Sequence, residues 1–262
     1  MVPLHQVPGD QVTPVSNLTE LDRSETIVSA LILPHDEEPP ETFLTLVTRG
    51  GRIKRITLAD FAASASRDTV TAMNVEGDDQ LAWVVETSGQ DDLLLATRQG
   101  KAIRFSENEV RPMGLSATGV LAIKLGKDDA VVGMGVIGKD TQVILFTDKG
   151  YAKRTAAKSF PVQKRYGGGV QAIKLSSRTG PAAVAALASE KESLVLMAAK
   201  GRVVKLPVKA IRAMGRATAG YRYRLDTKEP YIDPDTHGPP ILLTVLAGTK
   251  AAAKRARAKA RG

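Results

Sequence analysis

The sequence predicts an all-β fold: a propeller-like ring of blades about 50 residues long, with four complete blades and partial blades at both ends. Three observations carry this. One hairpin pattern recurs as "TLVTRGGRIKR", "LLLATRQGKAIR", "VILFTDKGYAKR" and "LVLMAAKGRVVK". Its turn glycines, Gly51, Gly100, Gly150 and Gly201, follow one another at 49, 50 and 51 residues. A second marker, "TVTAMNV", "GVLAIKL", "GVQAIKL" and "GYRYRL", ends on Val75, Leu125, Leu175 and Leu225, each 50 residues apart.

In chain order, residues 1–23 read as the second half of a blade without its hairpin, and complete blades follow over about 24–75, 76–125, 126–175 and 176–225. Within each, hydrophobicity alternates with period 2 and no long 3.6-residue pattern intervenes, which reads as strand. The turn is Thr-x-x-Gly at Thr48, Thr97 and Thr147, with Ala198 in the fourth blade. Its glycine can take the positive φ that a β-carbon resists. A polar stretch such as "SENEVRPMGLSATG" is unsuited to a core strand and long enough to cross to a neighbouring blade. The "GVLAIKL" strand beyond it then pairs with a different hairpin. Radial stacking gives each sheet two neighbours and leaves only short edges exposed. Trp83 is the single tryptophan, against the Trp-Asp and kelch repeat classes. Residues 226–246, broken by Pro230, Pro234, Pro239 and Pro240, form a closing segment, and 247–262 form a basic tail expected to be disordered.

The chain of 262 residues contains no cysteine, which excludes disulfides and thiolate metal sites. No signal peptide or membrane-length apolar run is evident, and a cytoplasmic location is expected. The formal charge is +9, with 37 basic and 28 acidic residues. Six of the basic residues lie between Lys250 and Arg261 without an acid, leaving only +3 for everything before them. Charge placement therefore matters more than net charge.

Four residues after each turn glycine stands a cation: Arg55, Arg104, Arg154 and Lys205. Arg52, Lys101 and Arg202 follow the glycine directly, with Tyr151 the exception, and Lys54 and Lys153 add to the pattern. In a ring these charges recur around a circumference as a basic belt able to neutralise phosphates and offset the cost of bending a duplex. The alternative is that they solubilise exposed strand edges. Asp60, Glu107 and Glu109 stand near the same hairpins and temper the belt.

Residues 93–125, "LLLATRQGKAIRFSENEVRPMGLSATGVLAIKL", together with "VILFTDKGYAKRT" and "GVQAIKLSSRTG", closely resemble blades of the C-terminal domain of the DNA gyrase A subunit, in the gyrase and topoisomerase IV family of type IIA topoisomerases. The resemblance extends from about Leu4 to Leu225 and implies a β-pinwheel, a ring with strands exchanged between blades, truncated at its N-terminus. It also implies duplex DNA wrapped on a basic outer rim in support of ATP-dependent supercoiling, partnership with the breakage-reunion region and the gyrase B subunit, and association with the nucleoid. Gyrase's Gln-Arg-Arg-Gly-Gly-Lys-Gly box is represented only by a degenerate "QKRYGGG": Gln163, Lys164, Arg165, Gly167 and Gly169 match, while Tyr166 and Gly168 depart. Lys164 and Arg165 ahead of the glycines read either as a mobile basic loop for phosphate or as a plain blade connection.

No catalytic residues are expected. Arg165-Tyr166 and Arg222-Tyr223 share only a dipeptide with the family's cleavage site, whose tyrosine lies in a separate region. His5, His35 and His237 are scattered, no P-loop or acidic metal triad occurs, and no cofactor is expected in this chain; Mg2+ and ATP belong to the full complex. Two other readings stay open, a protein-interaction propeller and a free-standing architectural DNA binder.

Overall fold

The computed structural model describes residues 27–29, 41–64, 70–198, 203–223 and 240–246. Gly201, Arg202, the partial blade 1–23, most of the closing segment and the basic tail lie outside them. The first hairpin is β1 (Phe43–Thr48) and β2 (Arg52–Thr57), followed by the short helix α1 (Leu58–Ser64) and β3 (Leu81–Thr87). The second is β4 (Asp92–Thr97) and β5 (Lys101–Ser106), followed by the two-residue β6 (Val120–Leu121) and β7 (Val131–Ile137). Then come β8 (Thr141–Thr147), β9 (Tyr151–Ala156), β10 (Val170–Gln171), β11 (Ala182–Ser189), β12 (Ser193–Ala198), β13 (Val203–Pro207), β14 (Tyr221–Arg222) and β15 (Pro240–Leu246).

These strands form antiparallel sheets in the orders β3-β1-β2-β6, β10-β5-β4-β7, β11-β8-β9-β14 and β13-β12-β15. Sequence unit and sheet are therefore different objects. The first sheet joins one hairpin to the first and last strands of the unit that follows, and the second and third sheets repeat the arrangement. The marker strand does pair with a different hairpin: Val120 and Leu121 stand opposite Ile53 and Arg52.

Hydrophobic cores lie between consecutive sheets. Leu93 and Leu95 of β4 pack with Val47 and Ile53, while Leu94 and Ala96 of the same strand pack with Val143 and Leu145. Both faces of a central strand are thus covered, which is why "LLLA" and "VILF" read as unbroken apolar runs rather than strict alternation. The far face of the first sheet is closed by Leu58 and Phe61 of α1 and by Met73.

The strands β3, β7, β11 and β15 touch in succession. At β7 and β11 the approach is so close that a Cβ on Gly133 would sit 2.1 Å from the Ala185 carbonyl oxygen. Each lies at one edge of its sheet, so these strands converge on the inner side of the array, and β6, β10 and β14 form its outer edge.

Candidate nucleic-acid interface

Each described hairpin turn is built alike. Thr48, Thr97 and Thr147 are fully buried, and their carbonyls accept the N–H of Gly51, Gly100 and Gly150 at 3.1, 2.9 and 3.1 Å. Their hydroxyls accept the N–H of Arg52, Lys101 and Tyr151. The three glycines have φ of 82°, 78° and 73°, the left-handed region the turn demands. The residue after the glycine is thereby fixed beside the outer edge: Arg52 opposite Leu121, Lys101 opposite Gln171 and Tyr151 opposite Arg222. Lys101 is exposed, whereas Arg52 is half-buried and bridged to Glu76 at 3.0 Å.

Three of the four cations in the column four residues after the glycine, Arg55, Arg104 and Arg154, turn inward, contrary to their expected role on the rim. Arg55 is 4 % exposed and pairs with the fully buried Glu107 at 2.7 Å. Arg104 pairs with Asp92 at 2.6 Å and donates to the Phe160 carbonyl. Arg154 pairs with Glu190 and donates to the Ile211 carbonyl at 2.7 Å. The backbones of these arginines bridge to Pro112, Val162 and Ala213 in the crossing segment of the next unit. Their regular spacing therefore reflects a repeated blade joint. Burial pushes the Glu107 carboxyl up, but the Asp91 N–H, the Arg55 guanidinium and the Thr87 hydroxyl outweigh it and hold the group below its usual range.

Lys54 and Lys153 are corrected in the same way. Both are fully buried. The Lys54 ammonium donates to the carbonyls of Ala72 and Leu115, and that of Lys153 to Gly215 and Arg216 at 2.8 and 2.5 Å. Burial pushes each down to about 8. Neither side chain is available to a phosphate.

The glycine-rich segment is pinned rather than loose. Arg165 donates to the Leu121 and Glu109 carbonyls at 2.5 and 3.2 Å, the Tyr166 N–H to Ala122 at 2.8 Å, and the Lys124 N–H to Gly167 at 3.0 Å. A Cβ on Gly169 would meet the Ala102 carbonyl oxygen at 2.7 Å. Gly119 and Gly220 occupy the same place in their units with positive φ, so this glycine serves the blade joint in the second, third and fourth units. Gln163 is half-buried, its N–H bound to the Arg104 carbonyl at 2.7 Å, whereas Lys164 is exposed.

Of the expected phosphate contacts, Lys101, Lys164 and Lys205 are exposed, with Lys205 on β13. Sequence reasoning missed others. Lys124 and Lys174, three residues beyond β6 and β10, are exposed, as are Arg111 and Arg212 beside the parallel bridges. The signal was present: the lysine of "AIKL" recurs within the very marker that set the register. Arg212 also lies over the Tyr221 ring at 5.6 Å.

Among the described residues there is no group of three or more histidines and acids placed to hold a metal ion, and no helix long and apolar enough to cross a membrane. A family described as the DNA gyrase C-terminal domain, β-propeller, matches residues 42–88, 91–137, 141–179 and 192–229. The DNA gyrase A subunit of Staphylococcus aureus (strain MRSA252) is 35 % identical over 211 residues, covering 80 % of this chain and 24 % of that protein. The chain thus spans about a quarter of the length of the curated relatives it matches. The solved C-terminal domain of a DNA topoisomerase IV superposes with a TM-score of 0.78 at 25 % identity, over 94 % of this chain and 75 % of that one. A DNA gyrase A C-terminal domain superposes at 0.74 and 20 % identity, over 92 % and 76 %, which supports the fold. With exchanged-strand blades in register with the repeats that the family model matches, the chain belongs to the DNA gyrase A C-terminal domain family and has its β-pinwheel fold.

Proposed function

We propose that the outer edge of the array binds duplex DNA without sequence preference and bends or wraps it, as the DNA-binding part of a gyrase-like type II topoisomerase. The observation that carries this is the recurrence of exposed cations at the outer edge, Lys124 and Lys164 at the joint between β6 and the 160–169 segment and Lys101 and Lys174 beside β10. Exposed, unburied ammonium groups spaced along a curved edge are suited to phosphate contact and counterion release. Cleavage, ATP hydrolysis and their Mg2+ fall to the breakage-reunion region and the B subunit, which are its partners in this reading, and the protein works on the nucleoid in the cytoplasm.

The test replaces these four lysines with alanine in the full chain and in a chain lacking residues 247–262, and titrates a short duplex across salt concentrations. The expected result is unchanged melting with a salt slope flatter by about 0.9 for each phosphate no longer neutralised. Wild-type slope in both backgrounds overturns the rim. Ligation of relaxed plasmid in the presence of the protein then separates chiral wrapping, which shifts linking number in proportion to protein, from plain binding.

A further inference from the structure

Tyr166 is the residue of the outer edge that the fold itself does not explain. Its φ is 63°, and the other non-glycine residues at positive φ among those described are Asp128 and Asp140, a residue type that tolerates the left-handed region. A bulky aromatic does not. Ser116 and Ala217, its counterparts in the neighbouring units, lie outside that region. The strain is not repaid by burial, since the residue is 49 % exposed, nor does its ring or hydroxyl bond to any described residue. Strain held at an exposed position in a well-tied segment points to a use outside the chain.

Its surroundings suggest which. The Tyr166 N–H is fixed to the Ala122 carbonyl, setting the residue beside the exposed Leu121 on the outermost strand. Around this apolar pair stand Arg52 opposite Leu121, Arg165 on the Leu121 carbonyl, and the exposed Lys124 and Lys164. At the next joint the corresponding places hold Gln171 and Ala217, so the aromatic is present at only one of the two described joints of this kind. Two residues on, a Cβ on Gly168 would meet nothing within 4 Å, so the segment itself does not fill the space there.

Resting on the reading of the rim as a duplex-binding edge, we propose that Tyr166 is an aromatic wedge: its ring packs against a base-pair step in the groove facing the joint and fixes where the bound duplex bends. Cations flanking an apolar side chain are the arrangement with which a protein can hold both phosphate walls of a groove while unstacking one step.

The experiment uses the full chain with Tyr166→Gly, Tyr166→Phe and Lys164→Ala, and a 30-base-pair duplex carrying end dyes for energy transfer and 2-aminopurine at a flexible pyrimidine–purine step. Tyr166→Gly should melt at or above the wild-type temperature, because glycine accepts the conformation. It should also bind about five- to tenfold more weakly, with lower energy transfer and no rise in 2-aminopurine fluorescence. Tyr166→Phe should behave as wild type, and Lys164→Ala should flatten the salt slope while keeping the fluorescence rise. Wild-type affinity, transfer and fluorescence in Tyr166→Gly overturn the wedge, as does equal loss in Tyr166→Phe, which would mark a hydroxyl contact instead. If the unaltered chain binds no duplex at low salt, the rim reading falls and the wedge with it.

Discussion

Replacing Arg55 with methionine should cost stability and leave DNA affinity alone. The guanidinium and the Glu107 carboxylate meet at 2.7 Å with side chains 4 % and 0 % exposed, and the Arg55 guanidinium also lies 4.4 Å above the Phe43 ring. Removing one partner of a buried ion pair leaves an uncompensated charge and costs about 3–5 kcal/mol. For a domain of this size that corresponds to a fall in melting temperature of roughly 6–20 °C. The other Glu107 oxygen accepts the Asp91 N–H at 2.7 Å, so Glu107→Gln in the same background keeps an acceptor while removing the charge. The double variant should recover more than half of the loss. Thermal unfolding by circular dichroism supplies the stability, and fluorescence anisotropy of a labelled duplex at about 15 °C, where the variant is folded, supplies the affinity. A variant that melts within about 2 °C of wild type yet binds DNA tenfold more weakly would refute the assignment of Arg55 to the blade joint and return it to the rim.

The buried lysines give a pH signature. With folded pKa values pushed to about 8 from 10.5, the unfolded chain holds protons across that window that the folded chain lacks, so the contribution of Lys54 and Lys153 to stability rises with pH from about 8 to 10.5. Urea midpoints of wild type and Lys153→Met should diverge over that range; parallel curves would contradict it. Glu107 acts with the opposite limb, because a carboxyl held below its usual range contributes stability above that range and loses it as pH falls through the folded value. Glu107→Gln should therefore flatten the acid side of the stability profile. Gly133→Ala should destabilise by about 3 kcal/mol or more, since its Cβ would collide with the Ala185 backbone and force the inner strands apart. Because β7 pairs with β4 and β11 with β8, that defect should lower hydrogen-exchange protection in β4 and β8 together rather than in one sheet.

The repeat was legible because it rests on backbone geometry. A turn needing positive φ demands glycine at the same place each time, and Gly51, Gly100 and Gly150 supply it. Strand exchange was legible too, from the polar crossing segments. The site was only half legible. On a lone hairpin, Lys54 and Arg55 would face opposite sides and one would meet water, but here both faces of β2 are covered, by Ala72, Met73 and Leu115 on one side and by the next sheet with Val110 and Met113 on the other. Periodic charge in a stack of sheets therefore reports a periodic need, and the need can be internal. The rim lysines at 124 and 174 escaped notice because they sit in an apolar marker read for register rather than for charge.

Strand exchange itself explains why the internal need is for cations. A segment that crosses between blades has irregular backbone, and where it is buried its carbonyls lack strand partners and must find donors. Lysine and arginine supply several N–H groups on a long stem without adding an acceptor. Lys54 and Arg154 serve this purpose at Leu115 and Ile211, and Lys153 at Gly215 and Arg216. In the second hairpin the place of Lys54 and Lys153 is taken by Ile103, whose Cδ1 lies 3.4 Å from where a Cβ on Gly167 would stand and offers no donor. The crossing segment that faces Ile103 is the one with three consecutive glycines and a left-handed tyrosine; Arg165 ties it to the Leu121 carbonyl of the neighbouring unit, as Arg216 ties the next segment to the Gln171 carbonyl. The loss of one buried ammonium thus coincides with a change of backbone conformation in a segment that stays tied, and the chain places an exposed aromatic there, beside the outermost strand.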